Sequence, residues 1–281
     1  MQPQAIHRRE IKEIPRLDHA EAIAMARTEL ERFLALADSL GKEDWTRPTR
    51  CTRWDVRQTV AHVAGSAASY AKLSEFRRQS SGKLQRPYRE RGFNKLDAQN
   101  QIQVDDRAAV TPEHLLAELR DVGPRSLVFR ARLPAPIRAL HLPLGLAFPL
   151  GRTWVSLGYM TDTILTRDMW MHRLDISLAT QRAMAMTAGH DGRITALVVR
   201  DVQQSLGPTL RRAVRCDLDG PAGGSYLVGQ GEPGASVRMD ACDFHLLASR
   251  YASFDEVRPG ISVEGDAALV EQALAGTWAL Y

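Results

Sequence analysis

Cysteine is scarce in this chain: Cys51, Cys216 and Cys242 are the only three among 281 residues. They lie far apart and form no CxxC pair, which excludes a disulfide framework or a cysteine zinc finger and points to a reducing, cytoplasmic setting. Aromatic residues make up only 6%. That leaves little material for stacking nucleic-acid bases, and the net charge of +4 is a mild excess. Nucleic acid is therefore not an expected partner. The skew of the basic residues, 32 arginines against five lysines, fits a G+C-rich genome better than an electrostatic footprint. Long apolar runs are missing too. The most apolar stretch, 139–150, is interrupted by Pro143 and Pro149 and falls well short of the roughly 20 residues a bilayer span needs. The opening MQPQAIHRREIKEIPRLDHA mixes both charges without an apolar centre, so neither a signal peptide nor a membrane anchor is expected.

What is present is ordinary globular material: 44% hydrophobic and 25% charged residues, enough for real cores and, at roughly 150 residues per domain, for two domains or one large one. From Leu17 to Leu40 apolar residues recur at helical spacing, and Gly41 follows as a C-terminal stop. Asp55 stands where an N-cap opens a second helix that carries His62 and runs to about Phe76. Residues 77–107 turn polar without a steady period and predict a long loop with at most one helical turn. Thr111-Pro112-Glu113 starts a helix that breaks at Gly123-Pro124, with a short helix following to Leu133. Prolines make 134–150 irregular. Thr153 to Gln181 holds no proline and predicts one long helix carrying Asp168, His172 and Asp175. Another helix is expected from Gly192 to Gln204. After Pro208 the β-rich runs AVRCDLDG, SYLVG, ASVRMD and ISVEGD alternate with glycine turns and two helical runs. The expected organisation is a helical domain over 1–207 and a smaller α+β domain over 208–281.

Asp168 and His172 are four apart on one helix face and can ligate one ion. The same spacing is met by a surface ion pair, and chance alone places an acid four residues before a histidine about once in such a chain. His62, on a separate capped helix, adds a third donor. Two histidines and a carboxylate from two helices make a three-ligand site with an open fourth position, as catalytic zinc requires. Trp54 and Trp170 can wall such a pocket or belong to the core. Asp175 can orient an imidazole or stand as a surface charge. Arg86, Arg89 and Arg91 can attract an anion or form a solvated face. No GxSxG, P-loop or GxGxxG occurs in a suitable setting.

The stretch DWTRPTRCTRWDVRQTVAHVAG, residues 44–65, resembles the N-terminal signature of the mycothiol-dependent maleylpyruvate isomerase family, within the wider DinB-like four-helix-bundle superfamily. TRDMWMHRLDI, residues 166–176, is similar to that family's second metal-binding helix. The C-terminal region resembles the sterol-carrier-like α+β domain that follows the bundle. The resemblance implies His62, Asp168 and His172 as ligands of zinc, or of another divalent ion such as nickel. The family more often carries glutamate where Asp168 stands. It also implies mycothiol, a low-molecular-weight thiol, as cosubstrate, and Arg250, in DFHLLASR, as the active-site arginine of the C-terminal domain.

The expectation is thus a cytoplasmic, metal-dependent enzyme that uses a thiol to isomerise, or transfer sulfur to, a small electrophilic substrate. Two other classes remain open: a non-catalytic protein binding a small molecule or lipid, and a regulatory protein with a structural metal. A fold hosts several chemistries, and nothing in the sequence alone selects the substrate.

Overall fold

The computed structural model describes residues 8–9, 14–143 and 154–281. They divide into two compact units, one spanning Asp18–Met184 and the other combining Ala185–Tyr281 with the described residues before Asp18. The expected boundary at 207/208 therefore moves to 184/185. The change of texture after Pro208 marks the first long strand of the second unit rather than the unit's beginning.

After the two-residue strand β1 (Arg8–Arg9), the helical unit opens with α1 (His19–Asp38), capped by Asp18. Helix α2 (Val56–Ala71) begins with the expected Asp55, which forms a capping box with Gln58. The second helix, expected to run to about Phe76, stops at Ala71 and its last turn belongs to α3 (Leu73–Gln79); the stretch read as a loop holds the end of α3 and two further helices, α4 (Gly82–Glu90) and α5 (Lys95–Asp105). Their interior is partly polar, which is why hydrophobic period missed them. Gln79 donates to Gly65 O at 3.0 Å, Gln103 donates to Gln79 Oε1 at 2.8 Å and Gln85 donates to Gln79 O at 3.0 Å. All three glutamines are buried, so amides bonded to one another and to the backbone fill places where leucines are expected.

Helix α6 (Pro112–Ala131) starts at Thr111 as expected but runs straight through Gly123-Pro124. Packing explains the continuity. A Cβ at Gly123 would stand 2.8 Å from Leu30 Cδ2, so the glycine admits the close approach of α1, and burial of Leu115, Leu119 and Leu127 outweighs the donor lost at Pro124. A short α7 (Ala135–Arg138) leads to β2 (His141–Pro143), which pairs antiparallel with β3 (Trp154–Ser156). Residues 144–153, including part of the stretch expected to be irregular and the expected helix start at Thr153, lie outside the described residues. The predicted long helix is divided into β3, a π-helical turn at Tyr159–Ile164 and α8 (Leu165–Thr180).

Helices α1, α6, α2 and α8 pack in a ring, each against the next, and enclose a core built on Leu30, Phe33, Val60, Leu115, Leu119 and Ile176. This is a four-helix bundle. One buried ion pair crosses it: Arg173 Nε and Nη2 donate to the two oxygens of Glu29 at 2.6 and 3.0 Å, with both side chains at most 1% exposed.

In the second unit, α9 (Asp191–Leu206) packs on β5 (Gly224–Val228). Gln203 on α9 clamps Gly229 through both its amide oxygen and nitrogen, at 2.6 and 3.1 Å. These bonds place a helix assigned to the bundle by sequence texture in the α+β unit instead. The sheet runs β1-β5-β4-β6-β7, with β4 (Ala213–Asp219), β6 (Pro233–Asp240) and β7 (Ser262–Gly265). The β4–β5 turn needs Gly223, where a Cβ would stand 2.0 Å from Leu218 O. Helices α10 (Ala241–Ala248), α11 (Phe254–Val257) and α12 (Ala267–Gly276) complete the unit, α10 and α12 lying against the sheet. The fold is helical followed by α+β, as expected, and no described helix is long and apolar enough to cross a membrane.

Replacing Glu29 by alanine removes the bidentate partner of a buried guanidinium. Unfolding free energy should fall by about 3–5 kcal/mol, the usual effect of breaking a buried pair, as read by urea denaturation. A loss below about 1 kcal/mol, the scale of an exposed pair, would overturn this role.

Candidate metal centre

The capping box at Asp55 sets the start of α2, and two turns later the helix carries His62 inward, 2% exposed. Across the bundle, α8 presents Asp168 and His172 one turn apart on the face toward α2. His62 Nε2 lies 3.4 Å from Asp168 Oδ2, and His172 Nε2 lies 3.4 Å from Asp168 Oδ1. The two imidazoles meet edge to face with centroids 4.9 Å apart. Ligand atoms from all three side chains fall within 4.8 Å of one another.

This arrangement can be tested against a metal without assuming one. Bonds of about 2.0–2.1 Å at the tetrahedral angle separate ligand atoms by about 3.3–3.4 Å, the spacing observed between each Nε2 and the carboxylate. Both ring nitrogens of His62 and Nδ1 of His172 are buried without a hydrogen-bond partner. Buried polar atoms are ordinarily satisfied, and leaving them so is costly. Two imidazoles and one carboxylate suit zinc and other first-row divalent ions. The residues therefore fit a divalent ion, and the shorter aspartate reaches both imidazoles.

The electrostatics agree with the geometry. Burial pushes the Asp168 carboxyl up, but the His172 and His62 imidazoles outweigh it and hold the group far below the usual carboxylate range. His172 shifts the other way. Burial alone would lower it, yet the Asp168 charge raises it above an ordinary histidine.

Neighbouring side chains take definite places. Trp54 packs over the site with its ring centroid 4.9 Å from His62 and 6.0 Å from His172, held by its indole N–H donating to Gln101 Oε1 at 3.1 Å. It is a wall of the site, whereas Trp170 is fully buried in the helical unit. Asp175 is neither an exposed charge nor a hydrogen-bonded acceptor for an imidazole. It is buried and accepts the backbone N–H groups of Arg50 and Cys51 at 2.6 and 3.3 Å, tying the Trp54 loop to α8. Burial pushes its carboxyl up against those hydrogen bonds.

Arg250 belongs to the other unit. It follows the C-cap Ser249 of α10 in the left-handed region at φ 65°, is exposed, and donates to Ala275 O at 3.2 Å. Arg86 and Arg89 lie on α4, where Arg86 pairs with Glu90, and Arg91 stacks on Tyr88 and Phe93.

Sequence reading missed Tyr70 and Arg130. Burial pushes the Tyr70 hydroxyl up to about 12, with Arg130 working against the shift and Asp168 with it. Burial also lowers Arg130 to about 10. Eight residues separate Tyr70 from His62 on α2, a spacing too weak to single it out, and Arg130 is one of 32 arginines.

Comparison with known proteins adds a family. The model of the mycothiol maleylpyruvate isomerase N-terminal domain matches residues 26–177, from within α1 to within α8. Solved structures of a mycothiol-dependent maleylpyruvate isomerase and of a mutant of it are each 14% identical to this chain, at a TM-score of 0.57. In both cases 92% of this chain and 97% of the other is covered. At that identity the likeness is one of fold. No curated protein matches the sequence.

His62→Ala, Asp168→Ala and His172→Ala should each abolish stoichiometric metal uptake, measured by elemental analysis after equilibration with zinc. Exposed His114→Ala should leave it intact. Retention of full metal by His62→Ala would remove the site. Asp168→Glu lengthens a ligand in a cluster already closed to 3.4 Å; it should retain metal more weakly than the parent but better than Asp168→Ala in a chelator competition.

Proposed function

The chain belongs to the family of the mycothiol maleylpyruvate isomerase N-terminal domain, and from that premise we propose a metal-dependent enzyme that uses mycothiol on a small electrophilic substrate. Isomerisation is the outcome when the thiol leaves again, and thiol transfer when it stays. The observation that carries this reading is the convergence of His62, Asp168 and His172 with buried, unsatisfied imidazole nitrogens. Zinc is the proposed ion.

His62, Asp168 and His172 would hold a divalent ion, which would supply Lewis acidity that lowers the pKa of a thiol and favours its nucleophilic thiolate form at neutral pH. The protein's own residues do the rest. Asp168 provides a permanent negative charge between two imidazoles, so the donor set carries one compensating charge for a dication and leaves the site cationic enough to hold a sulfur anion. Trp54 covers the imidazoles and keeps bulk water from that side. Asp175 fixes the Trp54 loop through two backbone N–H groups, so the wall and two of the ligands are set by the same helix. Arg250 enters the reading as an exposed guanidinium suited to a carboxylate or polar group of a ligand.

The test is turnover of maleylpyruvate and a panel of other small electrophiles by zinc-loaded protein with and without mycothiol. Consumption should require the thiol, fall to background in His172→Ala and be reduced in Arg250→Ala with metal content unchanged. Zinc-loaded protein that neither binds mycothiol nor accelerates its addition to any electrophile would overturn the proposal.

A further inference from the structure

Of the nine large apolar side chains that stand exposed among the described residues, six belong to one short stretch of chain: Val128, Phe129, Ile137, Leu140, Leu142 and Trp154. Trp154 is 56% exposed and Leu140 54%. The stretch runs from the end of α6 through α7 to the β2–β3 ribbon. Ten of the twelve residues from Ala131 to Leu142 are exposed, although the sequence there, ARLPAPIRALHL, is mostly apolar. Monomeric proteins seldom leave so much apolar surface together without a use for it.

Charge is sorted along the same stretch. From Val122 to Thr161 the sequence holds five arginines and no aspartate or glutamate, against 33 acidic residues in the whole chain. Arg125 and Arg138 reach Asp121 and Asp162, which lie just outside it. Arg132, the C-cap residue of α6, is exposed and makes no ion pair with a described carboxylate.

The build of the ribbon distinguishes one kind of partner from another. Strands β2 and β3 pair with each other in a separate two-stranded sheet. Buried Val155 anchors its base, where Leu157 N–H donates to Leu140 O at 2.7 Å. Leu142 pairs with Val155, so Trp154, the next residue, points to the opposite face from Leu142. A flat protein partner covers one face of a ribbon, whereas immersion in the interfacial layer of a bilayer covers both. Tryptophan is at home at that depth, and arginines beside it meet anionic head groups.

We propose that the end of α6, α7 and the β2–β3 ribbon form a docking element for the surface of a bilayer that contains anionic lipid. The element is too short to span a membrane; it adsorbs and dips its apolar side chains into the interface. It acts independently of the metal centre and of the chemistry proposed there.

The experiment is sedimentation of the full chain with sucrose-loaded vesicles of phosphatidylcholine alone and of equal parts phosphatidylcholine and phosphatidylglycerol. The protein should pellet with the mixed vesicles, less with phosphatidylcholine alone, and less again as salt screens the head groups. Trp154→Ser should weaken binding to mixed vesicles about tenfold or more, the scale of one large apolar side chain kept from burial. Arg132→Glu, which changes one exposed side chain, should weaken binding to the mixed vesicles and leave weak binding to phosphatidylcholine unchanged. Melting temperature and zinc uptake of both variants should match the parent. No pelleting of the parent above a vesicle-free control, equal pelleting with both kinds of vesicle, or undiminished binding by folded Trp154→Ser overturns the proposal. Should Trp154→Ser not fold, Arg132→Glu decides, and its undiminished binding overturns the proposal. Analytical ultracentrifugation tests the other occupant: a parent dimer that Trp154→Ser converts to monomer makes this surface a contact between copies of the chain and overturns its assignment to lipid.

Discussion

The rotation of α8 about its own axis is the constraint on which the site depends. Successive residues of a helix turn by about 100°, so Arg173 points well away from its neighbour His172. Arg173 is held by both oxygens of Glu29 on α1, and once that pair is made the opposite side of α8 must face α2. Asp168, His172 and Asp175, spaced four and three residues apart, lie on that side. A buried pair is a weak source of net stability but a strict one of register, since a guanidinium in a core has few acceptable partners. The two ends of α8's charge pattern are therefore one device. One side locks the helix, and the other delivers Asp168 and His172 to the candidate metal centre and Asp175 as a loop anchor.

The polar interior of the helical unit extends this device outward. Asp175 grips the backbone of the loop before α2, that loop carries Trp54 over the imidazoles, and Trp54 is held in turn by Gln101 of α5. Helix α5 is fastened by Gln103 to Gln79, which caps the carbonyl of Gly65 on α2. Gly65 is required there because a Cβ would come within 2.5 Å of Gln103 Cβ. A chain of hydrogen bonds thus runs from α8 through the loop and α5 back to the helix that bears His62. Such a closed network keeps the imidazoles in place even though neither nitrogen of His62 and not Nδ1 of His172 has a hydrogen-bond partner.

Charge is distributed unevenly around this frame. Asp168 stands between two imidazoles, Asp162 is shared by His19 and Arg138, and Arg130 makes contact only with a hydroxyl.

The sequence by itself determined much of the frame: the capped starts of α2 and α6 at Asp55 and Thr111 and the two-part α and α+β architecture; its resemblance to a family singled out His62, Asp168 and His172, which the fold brings together. These are short-range features, written in periodicity, capping and spacing. Tertiary structure alone decided the rest. Helices α3 to α5 form because glutamines bury one another, α6 passes through Gly123-Pro124 because α1 packs there, and α9 joins the sheet because Gln203 finds Gly229. Arg130 bonds to Thr166, a partner distant in the chain. Each depends on what is left unsatisfied after packing, and a linear pattern does not carry that information.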